Sequence, residues 1–133
     1  MANEKFDKEY SAILMKKQHY MRNLRDIVNS SIKDEEKKKI LFLFVKKIND
    51  LILDAKKIYH DTKSSNREVE FEQSKQVYVD CLKLQNLVFE NLCFIEEQYD
   101  RALAFRYDSA ILTNNNLINK ISQEFVFKNE NLS

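Results

Sequence analysis

The chain has no glycine and no proline in 133 residues. Average usage would supply roughly nine of the first and about seven of the second. Glycine is the inexpensive residue for a positive φ, and proline presets a bend. Phosphate-cradling loops, dinucleotide fingerprints and nucleophile elbows all need glycine, so they are excluded outright. A rigid proline-rich recognition segment is excluded as well. Long apolar runs are also missing. The longest, Ile40 to Val45, is far short of the ~20 residues that span a bilayer. The stretch from Met1 to Glu9 has no apolar signal core. No membrane partner is expected.

Cysteine is scarce too. Cys81 and Cys93 lie 12 residues apart, a rise of about 18 Å on one helix. A disulfide needs Cα atoms within roughly 7 Å. The pair therefore reads as small buried hydrophobes in a reducing compartment, and the expected location is cytoplasmic.

What remains is 44% apolar and 32% charged, enough for a packed core and unlike a disordered chain. Residues 1–127 are expected to form a single helical bundle domain, with 128–133 as a frayed tail. Net charge is +1, which points to no particular class of partner. The halves differ. Residues 1–66 carry 15 Lys/Arg and 10 Asp/Glu, whereas residues 67–133 carry 7 and 11. The plain account is that the halves pack together and their fields partly cancel. The sharper account is that one half meets an oppositely charged partner.

Turns in such a chain must come from Ser, Asn, Asp and Thr. Three clusters fit: 29–31, 62–66 and 113–116. Asp34, Glu35 and Glu36 then place negative charge at the positive end of a helix dipole. Glu68 stands three residues after Ser65, a capping-box spacing. Apolar spacing predicts helix one over 3–28 and helix two over 34–60, a short-loop antiparallel hairpin. From 66 to 112 no turn signal appears. The leading expectation is one long helix there, followed by a short helix over 117–125. The competing layout breaks the long helix between Asn91 and Gln98, which gives an up-down four-helix bundle. Either way the fold class is all-α.

Few residues could carry chemistry. A helical di-metal site uses Glu-x-x-His pairs, but lysine precedes both His19 and His60 by three positions. His60 is expected to close helix two on its last carbonyls, and His19 to be solvated. Glu96 and Glu97 are adjacent, so they diverge by 100° and do not share a site; both read as surface charge. Cys81 and Cys93 read as structural thiols. No catalytic residue, metal ligand or cofactor is assigned, and the chain reads as a non-enzyme.

Two partner surfaces are legible. Lys39, Lys46 and Lys57 project within about 20° of one another on helix two. They could meet nucleic acid, although Asp50 and Asp54 stand at pairing distance from Lys46 and Lys57. The stronger signal is surplus apolar surface. Phe42, Leu43 and Leu53 fall outside the stripe of helix two. Leu87, Phe94, Phe105 and Leu112 form a second stripe on 66–112, and Leu82, Phe89, Cys93, Tyr107 and Ile111 a third. A helix apolar nearly all round is buried nearly all round, which points to a homo-oligomer or a protein partner. Lys17, Gln85 and Arg106 interrupt the seams and are candidates for setting register. The expectation is an adaptor, chaperone or assembly subunit that self-associates through Phe42, Leu43, Leu53, Leu87, Phe94, Phe105 and Leu112.

Overall fold

The structure is a computed structural model that describes residues 4–125. Within them the chain forms α1 (Glu4–Val28), α2 (Asp34–Ser64), α3 (Glu68–Glu96) and α4 (Arg101–Ser122), with no strand. The expected tail at 128–133, and the first three and last two residues of the expected domain, lie outside the described residues.

Side-chain contacts set the helix directions. Phe6 and Ile58 line one hollow while Tyr20 packs edge-on against Phe44 at 6.2 Å, so α1 and α2 are antiparallel. Lys38 reaches Glu96 at 3.1 Å while the Tyr59 ring lies tilted against Phe71 at 5.2 Å, so α2 and α3 are antiparallel. Asn86 bonds Asn115 at 3.0 Å and Cys93 meets Asp108 at 3.3 Å, so α4 returns antiparallel to α3. This is an up-down-up-down bundle. The break in the long helix is the competing layout of the sequence reading, and the single helix over 66–112 is overturned.

The break needs no special residue. The backbone stays helical through Glu97 and then turns at Asp100, with φ −143° and ψ 92°. The Asp100 carboxylate accepts from the Leu103 amide at 3.1 Å and caps α4. Contacts from α2 hold the corner. Lys38 pairs with the buried Glu96, and the Tyr99 hydroxyl donates to Asp34 at 3.1 Å. The expected turn at 113–116 does not exist, because α4 runs through it.

The two earlier turns fall at the expected places. Asp34, Glu35 and Glu36 do open α2. After α2, Asn66 takes φ 58°, the left-handed position that glycine usually fills after a helix. Arg67 donates its amide back to the Thr62 carbonyl at 3.2 Å. The capping box is not formed: Arg67 is the N-cap of α3 without a side-chain cap, and Ser65 Oγ bonds the Asp61 carbonyl instead. α2 runs four residues past His60, which is exposed and edge-on to Tyr59 rather than at the last carbonyls.

Two apolar clusters share the interior. One gathers Phe6, Ile13, Leu51, Ile58, Tyr59, Phe71 and Tyr78, with Ile121 of α4. The other gathers Leu24, Leu41, Phe44, Ile48, Leu84, Val88, Leu92 and Ile95. Each fully buried Leu, Ile or Phe contributes roughly 1.5–3 kcal/mol. α3 is the centre: it touches α1, α2 and α4, and about half of its residues are buried. α4 is the outlier. Among the described residues no Cα of α1 or α2 lies within 8 Å of α4, and only Ala104 and Ile121 of α4 are fully buried.

Candidate interaction surface

The single neighbour of α4 decides what stays uncovered. The sequence reading placed this surplus apolar surface on one long helix over 66–112. The observed cause is different: among the described residues the backbone of α4 comes close to α3 alone, and much of the side of α4 turned away from α3 is exposed. Phe105 and Leu112 stand there, 71% and 62% exposed. Leu87 and Phe94 stand on the strip of α3 that neither α1, α2 nor α4 covers, 43% and 68% exposed. Phe42, Leu43 and Leu53 of α2 are also exposed. Leu43 projects 100° from Phe42, so the pair does not form one patch.

The third stripe is covered instead. Leu82 and Cys93 are buried, and Phe89 stacks on Tyr107 at 5.9 Å in the α3–α4 contact. Met21 is an exposed apolar residue the sequence reading did not single out. It lines a hollow of about 270 Å³ between α1 and α3 with Leu24, Val28 and Leu87, edged by Arg25, Asn29 and Asn91. Met21 reads as an ordinary member of the α1 stripe, and only the neighbouring α3 strip turns it into a wall. A second hollow lies between α3 and α4, lined by Glu97, Arg101, Ala104, Phe105 and Asp108.

Gln85 does join helices, as a seam polar residue should. Its amide donates to Asn49 of α2 and accepts from Asn114 of α4 at 2.8 Å. Asn114 also bonds Asn86, and Asn86 bonds Asn115. Five amides therefore tie three helices together. Lys17 reaches Asp80 at 3.4 Å and fixes α1 against α3. Arg106 is exposed on α4 and lies outside any seam.

The corner between α3 and α4 holds the one carboxylate that contradicts its surface reading. Glu96 is buried and paired with Lys38, while Glu97 is exposed. That contact to Glu96, followed by Glu35, holds the Lys38 ammonium above the usual lysine range. Burial pushes the Cys81 thiol up to about 12. Burial, with the nearby Asp108 carboxylate, pushes Cys93 up to about 11. His19 is exposed beside Asn23 at 3.1 Å. Among the described residues no group of three or more His, Cys, Asp and Glu could hold a metal ion, and no helix is long and apolar enough to cross a membrane.

Lys39, Lys46 and Lys57 are all exposed on α2. Among the described residues Asp50 and Asp54 make no ion pair with Lys46 or Lys57, so the expected salt-bridged face is not formed. Comparison with protein-family models, curated proteins and solved structures returns no match.

Proposed function

We propose that this chain is a non-enzymatic helical interaction protein that associates with itself through the apolar side chains its bundle leaves outside. An adaptor, a chaperone or an assembly subunit would have this build, and the reading includes no cofactor and a cytoplasmic location. The observation that carries it is the exposure of Leu87, Phe94, Phe105 and Leu112 on neighbouring helices. Large apolar patches on a monomer mark interaction sites. Sedimentation equilibrium at micromolar concentration tests it. The expected result is a mass of at least two chains. A well-folded species that stays at the chain mass, 15.9 kDa, overturns it.

A second reading has one observation in its favour: the unpaired, exposed Lys39, Lys46 and Lys57. They suit weak, sequence-independent contact with nucleic acid. Such binding falls steeply with salt, whereas an apolar assembly does not. Titration of a random-sequence duplex between about 50 and 200 mM salt separates the two. Loss of affinity on raising salt supports the lysine face, and no binding at the lower salt removes it.

A further inference from the structure

We infer that two copies of this chain exchange α4: the corner at 97–100 straightens, residues 68–122 become one helix, and α4 of each copy takes its usual place on α3 of the other. The lone chain keeps the hairpin, and the straight helix belongs to the pair. This goes beyond the self-association proposed above, because the surface is the α3–α4 contact itself rather than the exposed apolar residues.

Helix phase is the first argument. Phe89 stacks on Tyr107, the Cys93 thiol donates to the Ala104 carbonyl, and Asn86 bonds Asn115. On one straight helix Phe89 and Tyr107, 18 residues apart, would project in the same direction. Cys93 and Ala104, 11 apart, and Asn86 and Asn115, 29 apart, would each agree to within about 20°. A hairpin imposes no such match, since its turn can present any side of the returning helix. Two straight helices packed antiparallel about a two-fold axis do require it, because each has one side toward the other.

The corner is the second. Its backbone is nearly helical already. The amides of Glu97 and Asp100 donate to the carbonyls four residues back, at 2.9 and 2.7 Å. Among the described residues only Asn66 has a positive φ, so the corner holds no left-handed stop. The chain departs from the helix at Asp100, with φ −143° and ψ 92°. Straightening offers the amides of residues 101, 102 and 103 the carbonyls of 97, 98 and 99. It releases the Asp100 cap on Leu103 and the Tyr99 bond to Asp34.

The attachment of α4 is the third. α1, α2 and α3 meet one another without α4, whose backbone, among the described residues, comes close to α3 alone. Exchange therefore remakes the contacts it breaks: Phe89 meets the partner's Tyr107, and Asn86 meets the partner's Asn115. Such exchange of an identical element is a low-cost route to a dimer, and short hinges invite it. Association costs freedom of motion, and rising concentration offsets that cost. The axis lies at the corner, midway between Phe89 and Tyr107. On the straight helix Asp100 falls about 20° from Phe89, so the two Asp100 carboxylates approach each other near the axis. Asp100 thus favours the hairpin twice, as a cap and as a like charge.

Refolding from urea at high micromolar concentration, followed by size separation, tests the inference on the full chain. Circular dichroism on each variant confirms helix content. The probe is Ala104→Cys with Cys81→Ala, which leaves Cys93 beside the new thiol. Oxidised glutathione then locks the contact. In exchanged pairs the disulfide joins two chains, so the dimer fraction should run on a denaturing, non-reducing gel at twice the chain mass of 15.9 kDa. A hairpin closes the same disulfide within one chain. Asn86→Cys/Asn115→Cys, with both native cysteines changed to alanine, reads the same exchange should Ala104→Cys disturb the packing. Each pair straightens two corners, so Asp100→Ala should raise the dimerisation constant at least about tenfold. Gln98→Gly should lower it, because glycine disfavours helix. A dimer fraction that runs at the chain mass after oxidation overturns the exchange and leaves association through the exposed residues standing. Corner variants that shift the dimer in the opposite directions overturn the exchange as well. Absence of any dimer from both wild type and Asp100→Ala overturns it together with the reading above.

Discussion

At the residue scale, polar groups inside the bundle follow their surroundings. With the Cys93 thiol pushed up to about 11 and Cys81 to about 12, very little thiolate is present near neutrality. Thiolate, not thiol, is the nucleophile. Native protein should therefore react slowly with iodoacetamide at about pH 8, and urea-unfolded protein quickly at both sites, because unfolded cysteine titrates near 8.5. Mass spectrometry of timed aliquots checks this; fast labelling of either site in native protein would contradict it. The raised values also set a direction for stability. The thiols' contribution is complete below about pH 8.5 and is lost as pH rises through the folded values. The amide chain gives a second residue-scale outcome. Gln85→Leu removes partners from Asn49, which is exposed and rehydrates, and from Asn114, which keeps Asn86. A cost near 1 kcal/mol is expected. Asn114→Leu takes the donor from both Gln85 Oε1 and Asn86 Oδ1, whose residues are buried, and should cost about 2–3 kcal/mol. Urea unfolding of both variants reads the order, and the reverse order would contradict it.

At the element scale, α4 is the least secured helix. Among the described residues its backbone comes close to α3 alone, only Ala104 and Ile121 of it are buried, and Asp100 caps it. Its amides should exchange with deuterium before those of α3, and Asp100→Ala, at about 1 kcal/mol, should speed α4 selectively. Uniform acceleration across all four helices would contradict this. The same helix shows what the sequence conceals. α1 and the start of α2 were legible because apolar spacing and an acidic first turn are local signals. The α3–α4 corner was legible only as an alternative. It is built from Glu97, Gln98, Tyr99 and Asp100, all permitted in a helix, and is held by Lys38 and Asp34 from another element. Conversely, Thr113 to Asn116 looked like a turn because asparagine favours turns. In α4, Asn114 and Asn115 find side-chain partners across the bundle, and that tertiary pairing overrides the local preference. The seven apolar residues named from spacing are all exposed, but the hollow beside them depends on α1 lying next to α3, which no spacing reveals.

At the scale of the whole molecule, a folded state that associates is stabilised by mass action, and its thermal midpoint depends on concentration. The midpoint should rise with each tenfold increase in protein. Invariance over a hundredfold range would argue for a folded monomer. The charge difference between the halves is consistent with the bundle's own packing. Lys17 with Asp80, Lys38 with Glu96 and Lys63 with Glu124 all join the basic first half to the acidic second half. Glu124 is held below the usual carboxylate range by Lys63. Its contribution is present above about pH 4.3, the unfolded value, and is lost as pH falls through the folded one.

The lone attachment of α4 also has a meaning in time. A ribosome delivers α4 after α1, α2 and α3, and until it arrives the α3 flank it will cover faces water. Gln85, Asn86, Phe89 and Cys93 stand on that flank. Two amides interrupt it, so it is no unbroken apolar stripe. The earlier helices can already pair antiparallel with their neighbours, because α1, α2 and α3 need nothing from α4 to meet one another. During synthesis the nascent chain therefore waits for α4 with a partly wettable flank outward, rather than with a surface that draws in other unfinished chains.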